Sequence, residues 1–133
     1  MYKVFLTFVA VFLLLTSYAQ NYIGKSKDVI TSLVPKEMPG FTVNTFGKNP
    51  DVNSLKFYDS KKDRSLIFFF DSKNICTYFK LIEDIELYDK KVAEFNSKYQ
   101  QNGKDKWTIK EEGKTIKVEM EKSEYLLTIL YTL

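Results

Sequence analysis

Few side chains in this sequence are suited to making or breaking bonds. The chain has no His and one Cys, Cys76. Ser–His and Cys–His nucleophile pairs are therefore excluded, and zinc would find too few ligands. Cys76 lies between Ile75 and Thr77 in a strand pattern, where a buried and inert thiol is expected. Carboxylates form two groups. Glu83, Asp84 and Glu86 could serve as an acid/base pair or hold calcium, but they sit where a helix pattern begins. Capping and complementing the helix dipole is the expected role there. Asp59, Asp63 and Asp71 fall in adjacent turns and would meet only if both turns shared one edge of a sheet. Their spacing does not fit an EF-hand loop. Lys61, Lys62 and Arg64 form a basic turn beside Phe68-Phe69-Phe70, a composition found in aromatic RNA-binding sheets. A nearly balanced charge of 20 basic against 17 acidic residues argues against nucleic acid as a partner. We expect no catalytic residue, no metal and no cofactor.

The elements that position these groups follow from hydropathy. Residues 1–19 read as a secretory signal peptide. Lys3 supplies the positive end, Val4 to Leu15 the apolar stretch, and Ser17-Tyr18-Ala19 the cleavage site. The apolar stretch is too short to span a bilayer, which takes about 20 residues. Cleavage after Ala19 leaves 114 residues with a net charge of +2. They form one domain, 20–133, in the periplasm or outside the cell, not membrane-spanning once processed.

The organising stretch runs from Ser65 to Glu83 and reads as two strands joined at Asp71–Asn74. Before it, Ser26 caps a short helix carrying Val29, Ile30, Leu33 and Val34, which Pro35 should end after about two turns. Phe41–Phe46 and Ser54–Tyr58 read as strands. After the hairpin, Asp84 caps a second helix with Ile85, Tyr88, Val92, Phe95 and Tyr99 on one face. That helix is expected to end at Asn102-Gly103. Glu94 and Lys98 form an i,i+4 pair on its surface. Lys106–Lys110, Lys114–Glu121 and Tyr125–Tyr131 read as three closing strands. The fold expected is α+β, an antiparallel sheet of about six or seven strands with two helices on one face, in the order α-ββββ-α-βββ. It reads as two helix-then-meander units, without the alternation of a doubly wound parallel sheet.

The run Ile23-Gly-Lys-Ser-Lys-Asp-Val29, followed by a helix and a meander, resembles the small exported domains related to β-lactamase inhibitory protein. It also resembles the small lipoprotein of the outer-membrane assembly machinery. The resemblance implies a repeated helix-plus-meander fold that binds other proteins without catalysis. The lipoprotein branch carries an acylated Cys at the mature N-terminus, where this chain has Gln20. The inhibitor branch is stapled by disulfides, which a single Cys cannot form. No binding residue carries over from either branch.

Function is then expected on the sheet. Two helices are too few to cover both faces, and the mature chain has one Trp, seven Tyr and eight Phe. Strand parity sets Phe69 and Tyr78 opposite Phe68, Phe70 and Phe79. It also separates Tyr58 from Phe57 and Leu126 from its neighbours. Tyr58, Phe69, Tyr78 and Leu126 are the expected binding residues, on an exposed face that takes a protein partner or a second copy. Two other functions stay open. One is a carrier of small apolar ligands with a pocket between sheet and helices. The other is an enzyme using the acidic turns.

Overall fold

Ser26 starts the first helix as expected, its Oγ accepting the N–H of Val29 at 3.3 Å. The structure is a computed structural model and describes residues 22–47 and 49–133. The proposed signal peptide lies outside the described residues. Helix α1 spans Lys27–Glu37 and continues past Pro35. Proline removes one hydrogen bond in the last turn, but Met38 still donates to the Val34 carbonyl at 2.8 Å. Burial of Ile30 and Val34, worth about 1.5–3 kcal/mol each, holds that turn against the sheet.

The strands are β1 (Thr42–Val43), β2 (Ser54–Asp59), β3 (Arg64–Phe70) and β4 (Cys76–Asp84), followed by a 3-10 turn (Ile85–Leu87) and helix α2 (Tyr88–Lys98). Then come β5 (Gln100–Gln101), β6 (Lys106–Glu111), β7 (Lys114–Lys122) and β8 (Leu126–Thr132). They form one sheet of eight strands in the order β1-β2-β3-β4-β8-β7-β6-β5, with every neighbouring pair antiparallel. Each half is a helix followed by a meander, and the halves join where β4 pairs with β8. The α+β class and the order agree with the sequence reading, and the extra strand is the two-residue β5. Gln100 and Gln101 pair with Thr108 and Trp107, so the second helix ends at Lys98, before Asn102-Gly103. The strand expected over Phe41–Phe46 shrinks to Thr42–Val43. Phe41 turns into the core, while Phe46 is 89% exposed.

One face of the sheet carries the core. Phe57, Leu66, Phe68, Phe79, Leu81, Trp107, Ile109, Val118, Leu127 and Ile129 are buried there with Ile30 and Val34 of α1 and Phe95 of α2. Phe95 meets Trp107 edge-on at 5.4 Å, and Asn96 Oδ1 accepts the Trp107 Nε1–H at 2.9 Å. Phe79 and Tyr131 stack at 4.4 Å across the β4–β8 join. The segment before α1 also belongs to this layer. The Tyr22 ring stands edge-on to Phe68 at 5.2 Å and to Phe79 at 5.7 Å, and its hydroxyl donates to Glu37 at 2.8 Å.

The strict two-residue alternation expected for the hairpin fails at one place. The β3–β4 register shifts between Phe69 and Phe70, so Phe70 pairs with Cys76. Thr77 is the extra residue of this bulge and is exposed. Cys76 is buried as expected, but it reaches the core side through the bulge, since strict alternation from Tyr78 would set it on the Tyr78 face. The turn before it is built by Asp71, whose Oδ1 accepts the N–H of Lys73 and of Ile75 at 2.8 and 3.0 Å.

Candidate functional site

The face away from the helices carries alternate residues of the same strands. Reading across β2, β3, β4 and β8, one row is Ser54, Phe69, Tyr78 and Thr132. The next is Lys56, Ile67, Lys80 and Leu130, and the third is Tyr58, Ser65, Ile82 and Thr128. All of these are partly exposed. Phe69 and Tyr78 are direct cross-strand partners, with ring centroids 4.4 Å apart and planes 9° from parallel. Such a pair adds about 0.5–1.5 kcal/mol beyond its buried area. The Lys80 ammonium lies 5.5 Å from the Phe69 ring centroid. The result is a patch of aromatic and aliphatic surface with Lys80 set among Ile67, Tyr78, Ile82 and Leu130, and Lys56 towards the β1 edge.

The four residues singled out by parity all lie on this face, but they are not one cluster. Phe69 and Tyr78 stand together. Tyr58 lies at the other end of β2, where its hydroxyl donates to Asp63 Oδ1 at 2.7 Å. That hydrogen bond, helped by desolvation and nearby carboxylates, raises the Tyr58 pKa above its ordinary value. Leu126 begins β8 opposite Asp84 and is 48% exposed. Three strand spacings, about 14 Å, separate its strand from that of Tyr58. Tyr125, expected inside the last strand, precedes it and is exposed.

No protein-family model, curated protein or solved structure matches the chain. The case for function therefore rests on geometry.

The acidic groups separate. Asp63 and Asp71 flank opposite ends of the seven-residue β3, about 26 Å apart at the rise of a strand, so no shared ion is possible there. Glu83 leaves the Asp84–Glu86 group and is buried on the core face. Asp84 caps the 3-10 turn, its Oδ1 accepting the Glu86 N–H at 2.8 Å, while helix α2, expected to start at Asp84, begins at Tyr88 without a side-chain cap. Among the described residues no three Asp, Glu or Cys side chains gather as metal ligands.

A buried ionic row closes one end of the first half. Arg64 Nε donates to Asp59 Oδ2 at 3.1 Å, and Arg64 Nη1 lies 3.8 Å from Glu83 Oε1. Lys91 of α2 reaches within 3.8 Å of Glu83 Oε2, an oxygen with no hydrogen-bond partner among the described residues. Arg64 also lies 4.5 Å over the Phe41 ring. Burial of Asp59 opposes its ionisation. Its bonds from Arg64 and from the backbone N–H groups of Lys62 and Lys61 outweigh that, so its pKa falls below the usual value. Gly40 is required beside it, since at φ +106° a Cβ would come within 2.9 Å of Asp59 Oδ2. Cys76 is chemically quiet, because burial pushes its thiol pKa up to about 12.

A groove lies at the β1 edge of the open face. The loop between β1 and β2 carries Phe46 and Val52, and with Val43, Lys56, Ile67 and Phe69 these line a space of about 430 Å³. The loop is tied down at both ends. Asn44 N–H donates to the Lys56 carbonyl at 2.8 Å, and Asn53 Nδ2 donates to Asp71 O and Asn74 Oδ1 at 3.1 and 2.8 Å. The sequence reading missed this groove. The outward facing of Ile67 was legible from its place between Leu66 and Phe68, but the path of the loop was not.

Proposed function

We propose that the protein is an exported, non-catalytic binding module that engages a protein partner through the open face of the first half of its sheet. One observation carries this reading. The half-exposed Phe69–Tyr78 stack, continuous with Ile67, Ile82 and Leu130, lies on a face from which both helices and the Tyr22 segment are absent. Aromatic residues bring large contact area to an interface at little entropic cost, and they recur at the centres of binding patches. The lack of His, and a thiol held in its neutral form, support a role without catalysis. The reading of residues 1–19 as a signal peptide supports export to the periplasm or beyond.

The test is a photo-crosslinking side chain in place of Tyr78, with another in place of Glu119 on β7 as control. A protein adduct from position 78 alone is the expected result. An adduct between two copies of this chain would make the partner a second copy. Equal adducts from both positions, or none from position 78, would sink the reading.

The groove favours a second reading, a carrier of small apolar ligands. Its volume of about 430 Å³ falls in the range of small-ligand sites. It lies on the open face at the sheet edge, rather than between sheet and helices.

A further inference from the structure

The groove at the β1 edge combines apolar walls with a bordering lysine, Lys56, and a second, Lys80, nearby on the same face. Val43, Phe46, Val52, Ile67 and Phe69 supply the walls, and Lys56 is the charged residue of the lining among the described residues. Lys56 and Lys80 are both register partners of Ile67, one on each side. Their backbones are therefore two strand spacings apart, about 10 Å. Neither ammonium group is in an ion pair among the described residues. The open face of β2, β3 and β4 carries one carboxylate, Asp84, at the far end of β4. Asp51, in the loop, is not part of the lining. A positive margin on an apolar groove selects a ligand with the converse plan.

We infer that this groove takes a small amphipathic carboxylate, with its apolar body between Phe46 and Phe69 and its head over Ile67 between Lys56 and Lys80. This rests on the small-ligand reading and adds the charge of the ligand to it. Lys56 supplies the discrimination, because it borders the groove directly. A half-exposed charge pair is screened by water and salt, so the preference is modest, about fivefold.

The test uses octanoate, octanol and octylammonium as probes at neutral pH, with calorimetry for affinity and backbone amide NMR shifts for location. Octanoate should bind best and shift the amides of Val43, Ile67 and Phe69. Octanol should bind about fivefold more weakly, and octylammonium more weakly still. Lys56→Gln should bring octanoate down to the level of octanol and leave octanol unchanged. Phe69→Ala should weaken both alike, with an unchanged far-ultraviolet spectrum showing that the fold survives. Equal binding of octanoate and octanol, or an octanoate affinity indifferent to Lys56→Gln, would overturn the inference while leaving a small-ligand site in place. Failure of all three probes to shift those amides would overturn both.

Discussion

The two halves of the sheet share a plan, helix then meander, yet they treat their two faces differently. In the second half, β7 alternates without exception. Ile116, Val118 and Met120 are buried, while Lys117, Glu119 and Glu121 face water. In the first half, the core face holds a charged row, and the opposite face holds Ile67, Phe69, Tyr78 and Ile82. Asp59 and Glu83, the buried charged side chains among the described residues, both belong to it. A strand needs only one apolar face to fold onto helices. Strand β7 meets that need and no more, while β8, at the join, extends the apolar open face with Leu126 and Leu130. The first half keeps apolar surface that folding does not use, which is why we place binding there.

The largest effect expected is on the shared core. Phe68→Ala in the first half and Trp107→Ala in the second should each cost about 3–5 kcal/mol in urea unfolding, since both rings are almost fully buried. Because Phe79 stacks on Tyr131 across the join, both variants should still unfold in a single transition. Separate melting of the two halves would break the view of one sheet with two differently used faces.

Arg64→Ala should come next. It leaves Glu83 with Lys91 at 3.8 Å as its remaining cation. The cost should be about 2–3 kcal/mol, below the usual loss for a broken buried pair because Arg64 keeps some exposure. Replacing Arg64 and Glu83 together by Met and Leu should recover part of the loss. A double variant worse than Arg64→Ala would show that the row does more than satisfy its own charges.

The same row sets a pH dependence. The Asp59 carboxyl is held below its ordinary value of 3.8. Its contribution is therefore present above that value and disappears as the pH falls through the lower folded-state pKa. Melting temperatures followed from neutral to about pH 2 should show the advantage of the wild type over Arg64→Ala shrinking below that ordinary value. A gap that stays constant into acid would contradict the assignment.

The smallest stability effects belong to the open faces. Phe69→Ala should cost about 1 kcal/mol through loss of the Tyr78 stack, and Glu119→Ala should stay within about 0.5 kcal/mol. If Phe69→Ala instead costs as much as Phe68→Ala, the Phe69 side is core, and the contrast between the halves fails.

Much of this fold is legible in the sequence because it rests on periodicity. The alternation of Lys114–Lys122 and the three-and-four spacing of Tyr88, Val92, Phe95 and Tyr99 each fix a face. Parity separates Phe68 and Phe79 from Phe69 and Tyr78 but does not say which set meets the helices; burial in the structure puts Phe68 and Phe79 there. Parity is blind to a bulge, which is why Cys76 and Thr77 exchange sides. A proline rule is local, so it ends α1 early at Pro35, where burial of Ile30 and Val34 carries the helix on. The ionic row depends on the register of consecutive strands, which brings Asp59 of β2 and Glu83 of β4 to Arg64 of β3 from opposite sides. The groove depends on the course of a loop, for which the sequence has no periodic signal.

The central claim is that binding belongs to the open face of the first half. Its most direct test is recovery of a partner from extracts of the source cells by three immobilised forms. These are the mature chain, Phe69→Ala/Tyr78→Ala, and Lys117→Ala/Glu119→Ala. The account predicts that one partner is lost with the first double variant and retained with the second. Retention by both, or loss with the second alone, would contradict it.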